Sequence, residues 1–77
     1  MITEEGKKRI ELINKYGLID YYNEFAGNII ISQSQMNDEI KSKIFIFISN
    51  NMNWVLGFEK YDNTEGYYYL NTIEDLF

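Results

Sequence analysis

The side chains that could do chemistry in this chain are carboxylates, hydroxyls and phenols, because it contains neither histidine nor cysteine. Without imidazole or thiolate, the commonest general base, the commonest soft nucleophile and the usual zinc ligands are all missing, and so are disulfides. Acid–base work would fall to paired carboxylates, as it does in glycoside hydrolysis. The adjacent pairs Asp38-Glu39 and Glu74-Asp75 stand where helical turns are expected to begin, and negative charge there complements the helix dipole. Asp62-Asn63-Thr64-Glu65-Gly66 offers oxygen ligands and a glycine. The glycine falls one place early for a calcium loop, and no glutamate follows at the required distance, so a hairpin turn is expected. Gly6, Gly17, Gly27, Gly57 and Gly66 are isolated rather than gathered into a phosphate-binding loop, and no serine sits in a nucleophile elbow. The expectation is a protein that is not an enzyme and holds no metal or cofactor.

Aromatic side chains are the second feature with functional meaning: seven Tyr, five Phe and one Trp. Rings on strands can stack nucleotide bases, but such platforms lie in positive surroundings. Here the charge runs the other way. Residues 1–15 set Glu4, Glu5 and Glu11 against Lys7, Lys8, Arg9 and Lys15, while residues 16–77 set nine acids against Lys41, Lys43 and Lys60. A surface of that sign repels a phosphate backbone, so no direct nucleic-acid binding is expected. Tyr, Trp and Phe also anchor protein interfaces, and an acidic rim prefers a basic partner. The candidate partner-binding residues are therefore Glu59, Tyr61, Asp62, Glu65, Tyr67, Tyr68, Tyr69, Glu74 and Asp75. The carboxylates would stand where phosphates lie on a nucleic acid, and the tyrosines would serve as apolar anchors.

At 77 residues there is room for one domain with one modest core. Aromatic bulk, or burial against a partner, must supply what cross-links do not. No run approaches the roughly 20 apolar residues of a membrane span, and the start, Met1-Ile2-Thr3-Glu4-Glu5, is acidic where a signal peptide is basic. The expected location is the cytoplasm, with no membrane partner. Heavy use of Ile, Asn, Lys and Tyr with a single Arg and no Pro suggests an AT-rich bacterial or phage gene.

The elements that must position these residues follow from periodicity. Thr3 before Glu4 and Glu5 reads as a capped helix start, with Ile10, Leu12, Ile13 and Tyr16 at helical spacing and Gly17 as its C-terminal stop. Leu18, Tyr21, Tyr22 and Phe25 predict a second short helix over 18–25. Beyond Ala26-Gly27-Asn28 the period changes to two, predicting strands at 28–34, 43–49, 53–60 and 66–70. Gln35–Lys41 reads as a polar connection with room for one helical turn at Met36–Ile40. Asn50–Asn53 and Asp62–Gly66 read as hairpin turns, and Asn71 and Thr72 as caps for a last turn over Ile73–Phe77, pinned by Ile73, Leu76 and Phe77. On the strand reading, Phe45 and Phe47 share one face while Ile44, Ile46 and Ile48 share the other.

The fold class is thus α+β: an N-terminal helix or helix pair on one face of a four-stranded antiparallel meander sheet, with a short C-terminal helical turn, in one domain over 1–77. In general character (small, acidic, AT-rich in residue usage, without catalytic motifs) the chain is similar to phage-encoded inhibitors of host defence, anti-CRISPR proteins and other nucleic-acid mimics among them. No single motif carries the likeness. The function this suggests is a small acidic inhibitor from a phage or mobile element that binds a basic protein or nucleoprotein complex of the host. The alternatives are an immunity or antitoxin-like protein that neutralises a basic toxin, and a homo-oligomeric structural subunit such as a homodimer.

Overall fold

A computed structural model describes residues 3–76. Helix α1, Glu4–Lys15, starts as its sequence predicts: Thr3 is the N-cap, and its hydroxyl accepts the Gly6 N–H at 3.0 Å. It ends at Gly17, whose φ of 75° suits a residue without Cβ. The Gly17 N–H bonds Asn14 O and the Leu18 N–H bonds Ile13 O, the paired bonds of a Schellman stop, with Leu18 buried just beyond. The predicted second helix over 18–25 does not form. A single 3-10 turn, Ile19–Tyr21, leads into strand β1, Tyr22–Asn23, and a tight turn to strand β2, Asn28–Ser32. Asn23 redirects the chain there, since its Oδ1 accepts the N–H groups of Phe25 and Ala26.

The largest correction concerns the expected strand at 43–49. This segment belongs to helix α2, Asp38–Asn50. Its run Ile44-Phe45-Ile46-Phe47-Ile48 has strand-forming residue types, but the stronger signal lies upstream. The Asn37 side chain caps the helix by accepting the Ile40 N–H at 2.8 Å, Asp38 and Glu39 occupy the first turn, and Lys43 pairs with Glu39 at 3.4 Å. Ile40, Ile44, Phe47 and Ile48 then fall on one stripe and pack into the core. Phe45 and Phe47, expected on a common face, part company: Phe47 is 0% exposed and Phe45 74%. The expected hairpin turn at Asn50–Asn53 is accordingly the link from α2 to strand β3, Trp54–Glu59.

Four antiparallel strands remain, because β1 takes the place of the lost one. Strand β4, Tyr67–Thr72, lies between β2 and β3, so the sheet order is β1-β2-β4-β3 rather than the sequential order of a meander. Carrying the chain through α2 to the far edge is what lets β4 return between its predecessors. A last 3-10 turn, Ile73–Leu76, follows β4, and Thr72 Oγ1 accepts the Asp75 N–H at its start. Of the residues expected to pin this turn, Ile73 is 42% exposed and stays out of the core, while Phe77 and the side chain of Leu76 lie outside the described residues.

Both helices pack on one face of the sheet. Ile13 and Leu18 at the end of α1, and Ile40, Ile44 and Phe47 of α2, meet Ile29, Ile31, Trp54 and Leu70 in a single buried cluster. Truncating Phe47 removes a fully buried ring and should cost about 3–5 kcal/mol, whereas Phe45→Ala should stay within about 0.5 kcal/mol. Urea unfolding of the two variants tests this contrast, which the strand assignment of the same segment would not produce.

Candidate functional site

Pleating puts alternate residues on opposite faces, so the registers define the face the helices leave bare. Three rows cross it. Ser32, Tyr67 and Glu59 form one; Ile30, Tyr69 and Gly57 form the next; Asn71 and Val55 form the third, with Asn28 beside Asn71. Among the described residues no helix covers these rows, and Ile30, Val55 and Tyr69 are only partly buried, by one another and by their neighbours. Tyr67 and Tyr69 sit i, i+2 on β4 with ring centroids 6.5 Å apart. Gly57 faces Tyr69 and carries no side chain, and a Cβ built there would meet open space. The result is a shallow depression lined by Gly57, Phe58, Glu59, Tyr69 and Asn71. At the β2 side of this face the Asn28 amide donates to Asn71 Oδ1 at 2.9 Å, while Asn28 Oδ1, also buried, has no donor among the described residues.

The expected partner-binding residues divide into three groups. Glu59, Tyr67 and Tyr69 share the open face, and Tyr61, Asp62 and Glu65 are exposed in the β3–β4 loop at one end of the sheet. Tyr68 points to the opposite face, where its ring lies 4.7 Å from that of Phe58 and packs on the core. Glu74 and Asp75 lie past the far end of β4, roughly 20 Å from Glu59 at about 3.3 Å per strand residue. Asp75 is moreover engaged by Arg9 at 3.4 Å.

The loop between β3 and β4 is held in place by side-chain bonds. Thr64 bonds Tyr61 O through both its N–H and its hydroxyl, and Asn63 takes a left-handed φ of 60°. The Glu65 carboxylate accepts the Ser34 N–H, which joins this loop to the one that follows β2. Hydrogen bonding by the Ser34 hydroxyl, and second by its N–H, holds the Glu65 carboxyl below the ordinary glutamate range. Phe58 lies against Gly66, where any Cβ would collide with its ring.

Period-two alternation alone sets Val55 and Gly57 on one face of β3 with Glu59, and Tyr67 on one face of β4 with Tyr69, but it does not bring Ile30 or Asn71 to them. What was missing was the identity of the neighbours, which depends on β4 lying between β2 and β3. Several exposed apolar side chains also lay outside the expected set, with Phe25, 97% exposed in the β1–β2 turn, the extreme case.

Among the described residues no group of three or more carboxylates gathers closely enough to hold a metal ion, and no helix is long and apolar enough to cross a membrane. No protein-family model matches the chain, and no curated protein or solved structure matches it either.

Because the folded Glu65 pKa lies below the unfolded one, its bond to Ser34 is at full strength above the unfolded pKa. It is lost as pH falls through the folded value. An NMR titration should place the Glu65 carboxyl below the ordinary glutamate range, and Ser34→Gly, which removes the hydroxyl but keeps the N–H, should move it part of the way back.

Proposed function

We propose that this chain is a non-catalytic inhibitor that binds a basic surface of another protein with its open sheet face. Its setting would be a phage or mobile element, and its target a host complex that handles nucleic acid. The observation that carries this reading is a sheet with both helices on one side and, on the other, an uncovered patch of Tyr67, Tyr69, Ile30 and Val55 bordered by Glu59. Uncovered apolar and aromatic surface rimmed by charge is the usual anatomy of a protein-binding site. A net charge of −5 speeds association with a basic partner and discourages nucleic acid from competing for the same face.

The placement of the acids favours anchoring by the rings over extended phosphate mimicry. Asp75 already neutralises Arg9, Glu65 is bonded to Ser34, and Glu74 lies at the other end of the sheet. Glu59 and Asp62 are left as the charges that can guide a partner onto the tyrosines. Inhibition then follows from occupying a basic groove rather than from copying a run of phosphates.

Capture of partners by the immobilised chain from an AT-rich bacterial lysate, at low and high salt and with competing DNA, tests the reading. A basic protein should be retained, and DNA should displace it. Tyr69→Asp and Glu59→Lys should each weaken it by about tenfold or more, while Phe45→Ala on the helical side should not. Equal retention by the open-face variants would sink the proposal. A partner that DNA leaves in place would instead indicate neutralisation of a toxin.

A further inference from the structure

Strand β3 is the long edge of this sheet, and among the described residues nothing but β4 pairs with it. The direction of its free backbone groups follows from the register. Asn53 O accepts the Ile73 N–H from the far end of β4, so the bonded pairs continue as Val55 with Asn71, Gly57 with Tyr69 and Glu59 with Tyr67. The N–H and C=O groups of Leu56 and Phe58 therefore point away from the sheet. Trp54 agrees, since its N–H turns to Asn51 O instead of to β4.

Edges of this kind are normally blunted by proline, by an inward charge, by a bulge or by brevity. The opposite edge, β1, is two residues long. In contrast, β3 runs for six residues, Trp54-Val55-Leu56-Gly57-Phe58-Glu59, with no proline, no charge before Glu59 and an unbroken register. Leu56 and Phe58, on the helix-bearing face, are 45% and 46% exposed. The core ends short of this edge and leaves their apolar surface beside the unpaired backbone.

We infer that a second copy of this chain occupies the edge, β3 pairing with β3 antiparallel about a twofold axis at Gly57. The segment is self-complementary in that register. The outward groups of Leu56 meet those of Phe58 in the second copy, and the reverse, as reciprocal bonded pairs. The two side chains then abut on the helix-bearing face and cover one another's exposed surface. Gly57 faces Gly57 of the second copy across the axis, where neither has a Cβ to obstruct the approach. Glu59 falls opposite Val55 of the second copy, so no like charges are directly opposed. Carboxylates brought together by symmetry are the usual obstacle for an acidic chain. Here the two copies of Glu59 stand four residues apart, about 13 Å. The dimer also leaves the open face free and joins two of them into one surface, while its contacts are distinct from those the proposed partner would use.

Cysteine cross-linking tests the register directly, because the chain has no cysteine of its own. Gly57 of each copy would occupy a non-bonded pair with Cα atoms about 4.5 Å apart, within the roughly 4.4–6.8 Å range of disulfides. A Cβ at Gly57 meets nothing within 4 Å, so Gly57→Cys should fold. Mild oxidation should convert it to a covalent dimer, whereas Glu59→Cys, on the same face of the same strand, should stay monomeric. Sedimentation of the unmodified chain over a dilution series should show a species of about twice 9.2 kDa. Leu56→Lys should raise its dissociation constant by about tenfold or more with an unchanged circular-dichroism spectrum. A monomer at every concentration overturns the inference, and so does equal cross-linking at both positions or cross-linking at Glu59→Cys alone. None of these outcomes depends on Tyr69→Asp, which tests the open face separately.

Discussion

Phe47 is the side chain on which both helices and the sheet converge. Its ring meets Tyr16 from the end of α1 at 5.2 Å and Trp54 from the start of β3 at 5.2 Å, both nearly edge-on. Edge-to-face geometry sets the positive rim of one ring against the negative face of the next and adds about 0.5–1.5 kcal/mol per pair to the area buried. The three rings come from distant parts of the chain and form at once only if 43–49 is helical. A strand would set Phe45 and Phe47 on one side of a sheet, and among the described residues no third layer receives them. The helical state of α2 is thus a consequence of where Phe47 must go.

A second joint supports the first. Arg9, the one arginine of the chain, lies over the Trp54 ring at 5.3 Å, donates to Gly27 O at 2.7 Å and reaches Asp75 at 3.4 Å. It ties α1 to the β1–β2 turn, to β3 and to the C-terminal turn together. A planar, always-charged guanidinium can lie over the ring while its Nη1 donates to both oxygens, a combination of stacking and hydrogen bonding that a lysine ammonium matches poorly. The close approach requires Gly27, since a Cβ there would lie 2.6 Å from Arg9 Nη1, and its φ of 69° favours glycine independently. With no cysteine to form a disulfide, the described fold rests on these two junctions and the aliphatic cluster between them.

The parts of this arrangement legible in the residues are those governed by neighbours in sequence. Thr3 capping α1, Gly17 ending it and Thr72 starting the last turn are all local hydrogen-bond chemistry, and all stand as read. So do the α+β class and the antiparallel four-stranded sheet. The segment 43–49 misled because β-branched and aromatic residues alternate there, while the helix signal, Asn37 with Asp38, Glu39 and Ile40, lies upstream. The reading of 18–25 erred in the other direction: Leu18, Tyr21 and Tyr22 do pack together, but through a 3-10 turn and a short strand that Asn23 then bends. In the candidate site, Tyr67, Tyr69 and Glu59 could be chosen from composition. That Tyr68 turns inward while its two neighbours turn outward is a matter of register, which the return of β4 between β2 and β3 decides.

The open face is in turn a consequence of where the helices go. One helix of 13 residues and one of 12 cover a single side of the four-stranded sheet, and among the described residues no element covers the other. A protein that needed only to fold could resolve this by making the uncovered side polar. Here Asn28, Ser32, Asn71 and Glu59 follow that rule, but Ile30, Val55, Tyr67 and Tyr69 break it at the centre of the same face. Tyrosine keeps such a face soluble through its hydroxyl while holding ring area that a partner can bury with few rotatable bonds to freeze. Local choices that disagree with folding alone are where function is expected to reside. In this chain they lie side by side on β2, β4 and β3, the last of which is also the bare edge of the sheet.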